Sequence, residues 1–457
     1  MKSLALFRLN EYNYISFQNP QYRFEVSQVN GYITVQETAE KWGVTPRQVQ
    51  ILCKENRIAG AMRMSRIWII PENAQKPTNT KRTSNRTGGK SLLQRTLYKK
   101  QNIDLSSAPW TMHEFFAGSG LVAYGLKGMF APIWANDISE QKAAVYEANL
   151  GCEHFELGDI KDVNGRDLPF AHLSWASFPC QDLSLAGSLG GIHASRSGLV
   201  WEWLRVLDEM EEKPRILALE NVTGLLSTNG GDNYRVLHMA LVERGYDCGA
   251  IVLNASHFVP QSRPRVFVIA VQHGYAIPAY LTGDAPCWLH NKAASNLGRS
   301  LPGWIWWQAE KPPRRHSTLK DIIEEAKFDK DTVLPLVPER HQIKLNEHDT
   351  VYATGYRRTR HGEQQLELRF DGIAGCLRTP EGGSSKQYLV VKKNDEIHAR
   401  LLTVREAARL MGAPDSFVLP GSYNDGYKAM GDAVAMPVAQ FIGEKFLSRL
   451  AEAVYDD

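Results

Sequence analysis

The chain has 457 residues, too many for one small domain and enough for roughly three. Hydrophobic residues make up 43% and charged residues 23%, a balance that excludes collagen-like, coiled-coil and wholly disordered chains. Lys and Arg number 53 against 50 Asp and Glu, a formal +3 that by itself points to no partner. No apolar run approaches the ~20 residues of a membrane span. The opening MKSLALFRLNEYNY meets Asn and Glu too early for a signal peptide. The six cysteines, Cys53, Cys152, Cys180, Cys248, Cys287 and Cys376, are scattered without a C-x-x-C pair. They make neither a disulfide framework nor a metal ligand set, and they fit a reduced cytoplasm.

The first unit is expected over 1–77, with nothing functional legible in 1–30. ITVQETAEKWGVTPRQVQILCKENRIAG reads as a helix, a turn at Gly43, and a second helix with Thr45 as N-cap and Pro46 at its first position. Val35, Ala39, Trp42, Val49 and Leu52 fall at helical spacing and can pack the pair together. A strand-like run from Ile67 to Ile70 supplies a wing. The unit resembles the winged helix-turn-helix of excisionase and MerR-type proteins. That resemblance puts Arg47, Gln48 and Gln50 where a DNA reader makes its contacts; the plainer alternative is a helical hairpin that caps a neighbour. Residues 78–106 read as a linker. From Lys76 to Lys100 the chain carries eight basic residues and no acidic one, either a solvated tether or an arm that neutralises phosphates.

From Thr111 the pattern becomes strand, Gly-rich turn, helix, repeated. Strands are expected at Thr111–Phe116, Ile133–Asn136, Leu173–Phe178, Ile216–Glu220, Ala250–Leu253 and Val266–Val271. Helices are expected at Glu140–Leu150, Gly198–Met210 and Tyr234–Glu243. Such alternation predicts an α/β core over 107–271 with a mostly parallel, doubly wound sheet. From Gln272 the alternation fades into Pro, Trp and basic residues, so a separate lobe is expected over 272–424. KPPRRHS, GYRRTRHG, Trp304, Trp306 and Trp307 lie within it. A segment over 425–457 then returns to the core.

Four stretches can carry chemistry. Phe116-Ala117-Gly118-Ser119-Gly120 follows an apolar strand, and its glycines allow a sharp turn that aims amides at a ligand. Asp137, closing the next strand, is placed to accept from ribose hydroxyls, and Asp159 with Ile160 ends a third; each Asp taken singly reads as a cap or turn residue. Cys180 lies just past the strand LSWAS in a loop stiffened by Pro179, where open α/β sheets build their sites. Glu220 closes the apolar strand RILALE, a costly place for an acid without a task or a partner. Arg263 and Arg265 alternate in QSRPR and would face one side of an extended segment.

Taken together, FAGSG, ND, GDI, FPCQ, ENV and QSRPR stand in the order and spacing of the DNA cytosine-5 methyltransferase family. RLLTVREAARLMGAPDSF and YKAMGDAVAMPVAQFIG resemble its last two motifs. The resemblance runs from about Thr111 to Gly443 and implies a Rossmann-like, S-adenosyl-L-methionine-dependent core with a smaller target-recognition lobe. It implies that Cys180 attacks C6 of a flipped-out cytosine and that Glu220 holds the N3/N4 edge. Arg265 would bind O2, and Arg263 would orient the site or a phosphate. By the same resemblance Phe116, Ala117, Gly118, Ser119, Gly120, Asp137, Ile138, Asp159, Ile160, Pro179, Asp432 and Ala433 meet the cofactor. DNA contacts fall to Gln181 and Ser184 and, in the lobe, to Arg357, Arg358 and Arg360. Asp432 stands where the family usually has Asn. The resemblance implies double-stranded DNA as partner, a restriction endonuclease encoded nearby, a cytoplasmic bacterial or phage-type monomer, and no metal. Methylation of tRNA and a non-catalytic DNA-binding regulator are the alternatives. The Cys-Phe-Thr signature of the tRNA branch is absent, and Cys180, Glu220 and Arg265 speak against lost chemistry.

Overall fold

Short apolar runs closed by Gly, Asn or Asp set the main sheet. The computed structural model describes residues 31–44, 46–54, 58, 60–64, 67–77, 107–179, 198–324, 333–379 and 386–455. The expected linker 78–106, Thr45, Cys180, Gln181 and Ser184 lie outside them.

The first of two compact units holds β1 (Tyr32–Thr34), α1 (Val35–Trp42), α2 (Pro46–Lys54), β2 (Met62–Met64) and β3 (Ile67–Pro71). Thr34 starts α1 through a capping box. Its hydroxyl accepts from the Glu37 amide at 3.1 Å while the Glu37 carboxylate accepts from the Thr34 amide at 2.7 Å. Gly43, at φ 61°, ends the helix in the left-handed region. The strands pair antiparallel in the order β1-β3-β2. Ala39, Val49, Cys53, Ile58 and Ile70 form the buried core, with Val35, Trp42 and Leu52 packed against it.

The second unit is built on a seven-stranded sheet ordered β6-β5-β4-β7-β8-β10-β9. Its strands are β4 (Trp110–Phe115), β5 (Phe130–Asp137), β6 (Phe155–Leu157), β7 (Leu173–Ala176), β8 (Ile216–Val222), β9 (Tyr246–Asn254) and β10 (Pro264–Gln272). Around it lie α3 (Leu121–Gly125), α4 (Glu140–Leu150), α5 (Leu199–Glu209) and α6 (Asp232–Val242). The strands from β6 to β8 run parallel, whereas β10 is antiparallel to both β8 and β9. The connection 255–263 is too short to hold a crossover helix, so β9 can only fold back on β10. After β4 the chain runs outward to β5 and β6, then returns to β7 on the other side of β4. That reversal opens a crevice at the carboxyl ends of β4 and β7.

The expected lobe starts later than its Trp-rich sequence suggests. β11 (Thr282–Gly283), α7 (Lys292–Gly298) and β12 (Trp306–Trp307) belong with the main core. Leu281, Leu289, Ile305, Trp307, Leu319 and Ile322 share one buried cluster with β4, β7 and β10. Trp307 is fully buried and donates its indole N–H to the Ile269 carbonyl at 3.2 Å. Trp304 packs on Tyr234, His238 and Trp306. These tryptophans therefore close the edge of the main sheet instead of filling a lobe. After α8 (Glu339–Asn346), the separate sheet is β13 (Thr350–Arg360), β14 (Glu363–Arg369), β15 (Gln387–Lys393) and β16 (Glu396–Leu401), ordered β14-β13-β15-β16 over its own small core. α9 (Val404–Leu410), α10 (Tyr423–Asp432), α11 (Met436–Ile442) and α12 (Ser448–Tyr455) return to the main core. α11 lies so close to α3 that a Cβ on Gly125 would sit 2.6 Å from the Met436 carbonyl oxygen.

One buried ion pair fixes the small sheet to α9. Arg400 at the end of β16 grips Glu406 in α9 through two bonds of 2.7 and 2.6 Å, both side chains at most 4% exposed. Glu406 also completes the capping box of α9 with Thr403. Removing one partner strands the other charge in the interior, which costs about 3–5 kcal/mol. Glu406→Ala is expected to destabilise the chain by that order, measured by denaturant unfolding.

Candidate active site

The crevice at the strand ends deepens into one cavity of about 840 Å³. β4 delivers Phe116, Ala117 and Gly118, β5 delivers Asp137 and Ile138, and Asp159 and Ile160 follow β6. β7 runs out through Phe178 and Pro179, and β8 ends in Glu220 and Asn221. Arg263 and Arg265 begin β10, while Asp432 and Ala433 close α10 from the far end of the chain. Residues more than three hundred positions apart in sequence thus share one wall.

Two glycines shape the first turn. Gly118 at φ 58° donates its amide to an Asp137 carboxylate oxygen at 2.9 Å, and Ser139 donates to the other at 2.8 Å. Gly120 at φ 78° lies where a Cβ would come within 2.5 Å of Leu150 and 2.7 Å of Tyr146, so only glycine lets the turn rest on α4. Ser119 is buried and donates its hydroxyl to the Ala429 carbonyl at 3.2 Å. Ser119 and Gly120, both expected at the cofactor, therefore shape the turn from behind instead of lining the cavity. The remaining wall suits a nucleoside. Phe116 and the exposed Ile138 offer apolar faces, Asp137 a fixed acceptor, and Gly118 a backbone position with open space above its Cα.

At the other end of the cavity stands an acid–guanidinium couple. The Arg265 Nε lies 3.0 Å from a Glu220 carboxylate oxygen, the two side chains 15% and 8% exposed. Burial pushes the Glu220 carboxyl above the usual range, while Arg265 and Arg263 oppose that rise and Asp432 adds to it. The carboxyl can therefore hold a proton more readily than a surface glutamate.

Of the two tasks expected of Arg263, orienting the site or meeting a phosphate, its contacts fit the first. Only 2% exposed, it donates to the carbonyls of Leu377 at 2.8 Å, Gly431 at 2.9 Å and Ala433 at 2.7 Å. Its guanidinium also donates to the Cys376 Sγ at 3.4 Å, which makes it a staple joining the start of β10, the connection between β14 and β15 and the end of α10. Gln261 works beside it, accepting from the Leu377 amide at 3.0 Å and donating to the Leu410 carbonyl at 2.7 Å. Asn221 holds the loop that leads to Cys180, donating to the Phe178 carbonyl at 2.9 Å. Nothing in the linear order marked Gln261 or Asn221 as more than motif spelling.

Of the expected DNA-contacting residues, Arg357, Arg358 and Arg360 lie on β13 of the small sheet. Arg358 stacks on Tyr356, Arg357 reaches over Tyr388, and Arg360 pairs with Glu367 at 2.7 Å. Gln50 is exposed on α2, and only the helical backbone of Arg47 and Gln48 is described. Among the described residues no group of three or more His, Cys, Asp or Glu side chains is disposed to hold a metal.

Glu114, directly before the Gly turn, is 1% exposed, with the Ala123 amide and the Tyr146 hydroxyl near it but no hydrogen bond completed within normal geometry. Burial, with a smaller push from Asp137, raises its pKa to about 8 against the two nearby donors. The folded chain keeps this proton while an unfolded one releases it near pH 4.5. Its stabilising contribution is thus complete below about 4.5 and fades as pH rises through about 8. Glu114→Gln is expected to gain stability relative to the parent from pH 5 to 8, on the order of 1 kcal/mol per unit, read from denaturant midpoints.

A family model for C-5 cytosine-specific DNA methylases matches residues 110–448. The Type II methyltransferase M.HhaI of Haemophilus parahaemolyticus is 28% identical over 348 residues, covering 74% of this chain and 94% of its own. M1.ScrFI of Lactococcus lactis subsp. cremoris is 25% identical over 350 residues, covering 76% and 80%. Among solved structures, a triple mutant of Spodoptera frugiperda DNMT2 superimposes with a TM-score of 0.50 at 17% identity, covering 75% of this chain and 99% of its own.

Proposed function

The chain belongs to the C-5 cytosine-specific DNA methylase family, and from that premise we propose that it methylates C5 of a flipped-out cytosine at a specific site in double-stranded DNA. The observation that carries this reading is the buried Glu220–Arg265 couple in one cavity with Phe116, Gly118 and Asp137. One end of the cavity suits a nucleoside donor, the other a pyrimidine edge. S-adenosyl-L-methionine, bound at the first end, supplies an activated methyl group.

C5 of cytosine is a weak nucleophile. Cys180, next in sequence after the cavity-lining Pro179, adds as thiolate to C6 and moves electron density onto C5. Glu220 donates its proton toward N3 as charge builds there, and its raised pKa suits that task. Arg265 holds Glu220 in place and offers guanidinium donors to O2. After C5 is methylated, its proton passes to solvent, the C5–H pair re-forms the C5–C6 double bond, the cysteine leaves as thiolate, and N3 returns its proton to Glu220. C6 is unreachable inside a duplex, so the base leaves the stack at a cost of a few kcal/mol. Arg263, in this reading, positions Arg265 and the cavity wall without touching substrate. The arginines of β13 and the helix pair of the first unit serve DNA contact, and the Type II relatives support a restriction-modification setting with a partner endonuclease.

Transfer of labelled methyl groups to duplex DNA and to tRNA tests the proposal. Activity is expected on duplex alone; transfer confined to tRNA would reassign the substrate. Cys180→Ala is expected to abolish transfer while keeping DNA binding, and Glu220→Gln to slow it by about 10²–10³. Near-normal rates in either variant would remove that residue from the mechanism.

A further inference from the structure

Lys142 projects from α4 into the wall of the cofactor cavity and pairs with Asp432 of α10, its ammonium 2.8 Å from the carboxylate. The two side chains are 22% and 39% exposed. Lys142 supplies the charge opposite to Asp432 from an element nearly three hundred residues away. Burial alone would lower the lysine's pKa, yet Asp137 and Asp432 outweigh it and hold the ammonium charged. Glu220 at the far end of the cavity is also within reach of the Asp432 charge.

We propose that the Lys142–Asp432 pair sets how strongly the cavity prefers the methyl donor over the demethylated by-product. The proposal rests on the cofactor reading above. S-adenosylmethionine carries a sulfonium, an ammonium and a carboxylate, a net +1. S-adenosylhomocysteine, with a neutral thioether, carries none. A cavity of about 840 Å³ is about 10 Å across, so any charge inside it lies within roughly one Debye length of the pair. While Lys142 and Asp432 neutralise each other, the pair itself adds little to the distinction that the other charges of the wall make. Removing either one unmasks a full charge that acts on the donor and leaves the by-product almost indifferent. The pair is therefore a setting: the donor is not held so tightly by charge that turnover changes its affinity sharply, and the by-product is not favoured.

The test is calorimetric binding of S-adenosylmethionine and of S-adenosylhomocysteine to the full chain without DNA. The variants are Lys142→Met, Asp432→Asn and the double substitution. Lys142→Met leaves the wall one unit more negative, and the ratio of by-product Kd to donor Kd is expected to rise about fivefold. Asp432→Asn leaves an unpaired ammonium, and the ratio is expected to fall by about the same factor. The double variant is expected to return near the parent ratio. Asn nearly matches Asp in shape at a partly exposed position, so Asp432→Asn remains informative even if Lys142→Met folds poorly. A purely structural role weakens both ligands equally and leaves the ratio unmoved in all variants, which would overturn the proposal alone. Failure of the unaltered chain to bind either compound would sink the cofactor reading and this inference with it.

Discussion

An acid at the end of an apolar strand in a buried site either keeps its proton or needs a partner for its charge, and Glu220 has Arg265 at 3.0 Å. The pairing follows from the sheet. β8 and β10 run antiparallel with Arg265 opposite Val222 and Phe267 opposite Glu220, so the guanidinium starts its strand where the acid ends its own. Because β10 folds back from β9 through a short connection, QSRPR arrives at the active end of the sheet at all. A parallel β10 would have started at the opposite end of the strands, away from Glu220. The antiparallel turn is thus what brings the acid and the guanidinium together.

Around this couple the site is assembled by backbone hydrogen bonds from a few buried polar side chains. Arg263 and Gln261 tie the connection between β14 and β15 and the ends of α9 and α10 to β10. Asn221 ties the loop before Cys180 to β8. The Arg263 guanidinium nitrogens Nη1 and Nη2, the Gln261 amide and the Asn221 amide all donate to carbonyls that would otherwise be stranded in the interior. The motif thereby combines one residue that faces the cavity with neighbours that build its wall.

Much of this was legible in the sequence because the site is local at each strand end. A Gly-rich turn after an apolar strand, an acid closing another and a Cys beyond a third are all read from short windows. The helix at Glu140–Leu150 is started by the Ser139 cap, and the one at Leu199–Glu209 carries an apolar face at helical spacing. What escaped depends on distant partners. Lys142 is an unremarked lysine in a helix until the fold brings α10 beside it. Arg263 resembles a ligand-facing arginine until three carbonyls surround it. The lobe boundary was missed because tryptophans and prolines break the strand–helix rhythm without leaving the core. Trp307 packs among residues of β4, β7 and β10, which no local pattern announces.

In the proposed reaction Glu220 holds a proton, a methyl donor lies in the same cavity, and Cys180 attacks one extruded pyrimidine. A duplex carrying 5-fluorocytosine at the methylated position tests it most directly, since fluorine cannot leave as a proton does. The account predicts a donor-dependent covalent complex that survives denaturation, with the attachment mapped by peptide mass to Cys180. A bound donor and duplex that yield no such complex, or one mapped to another residue, would contradict it.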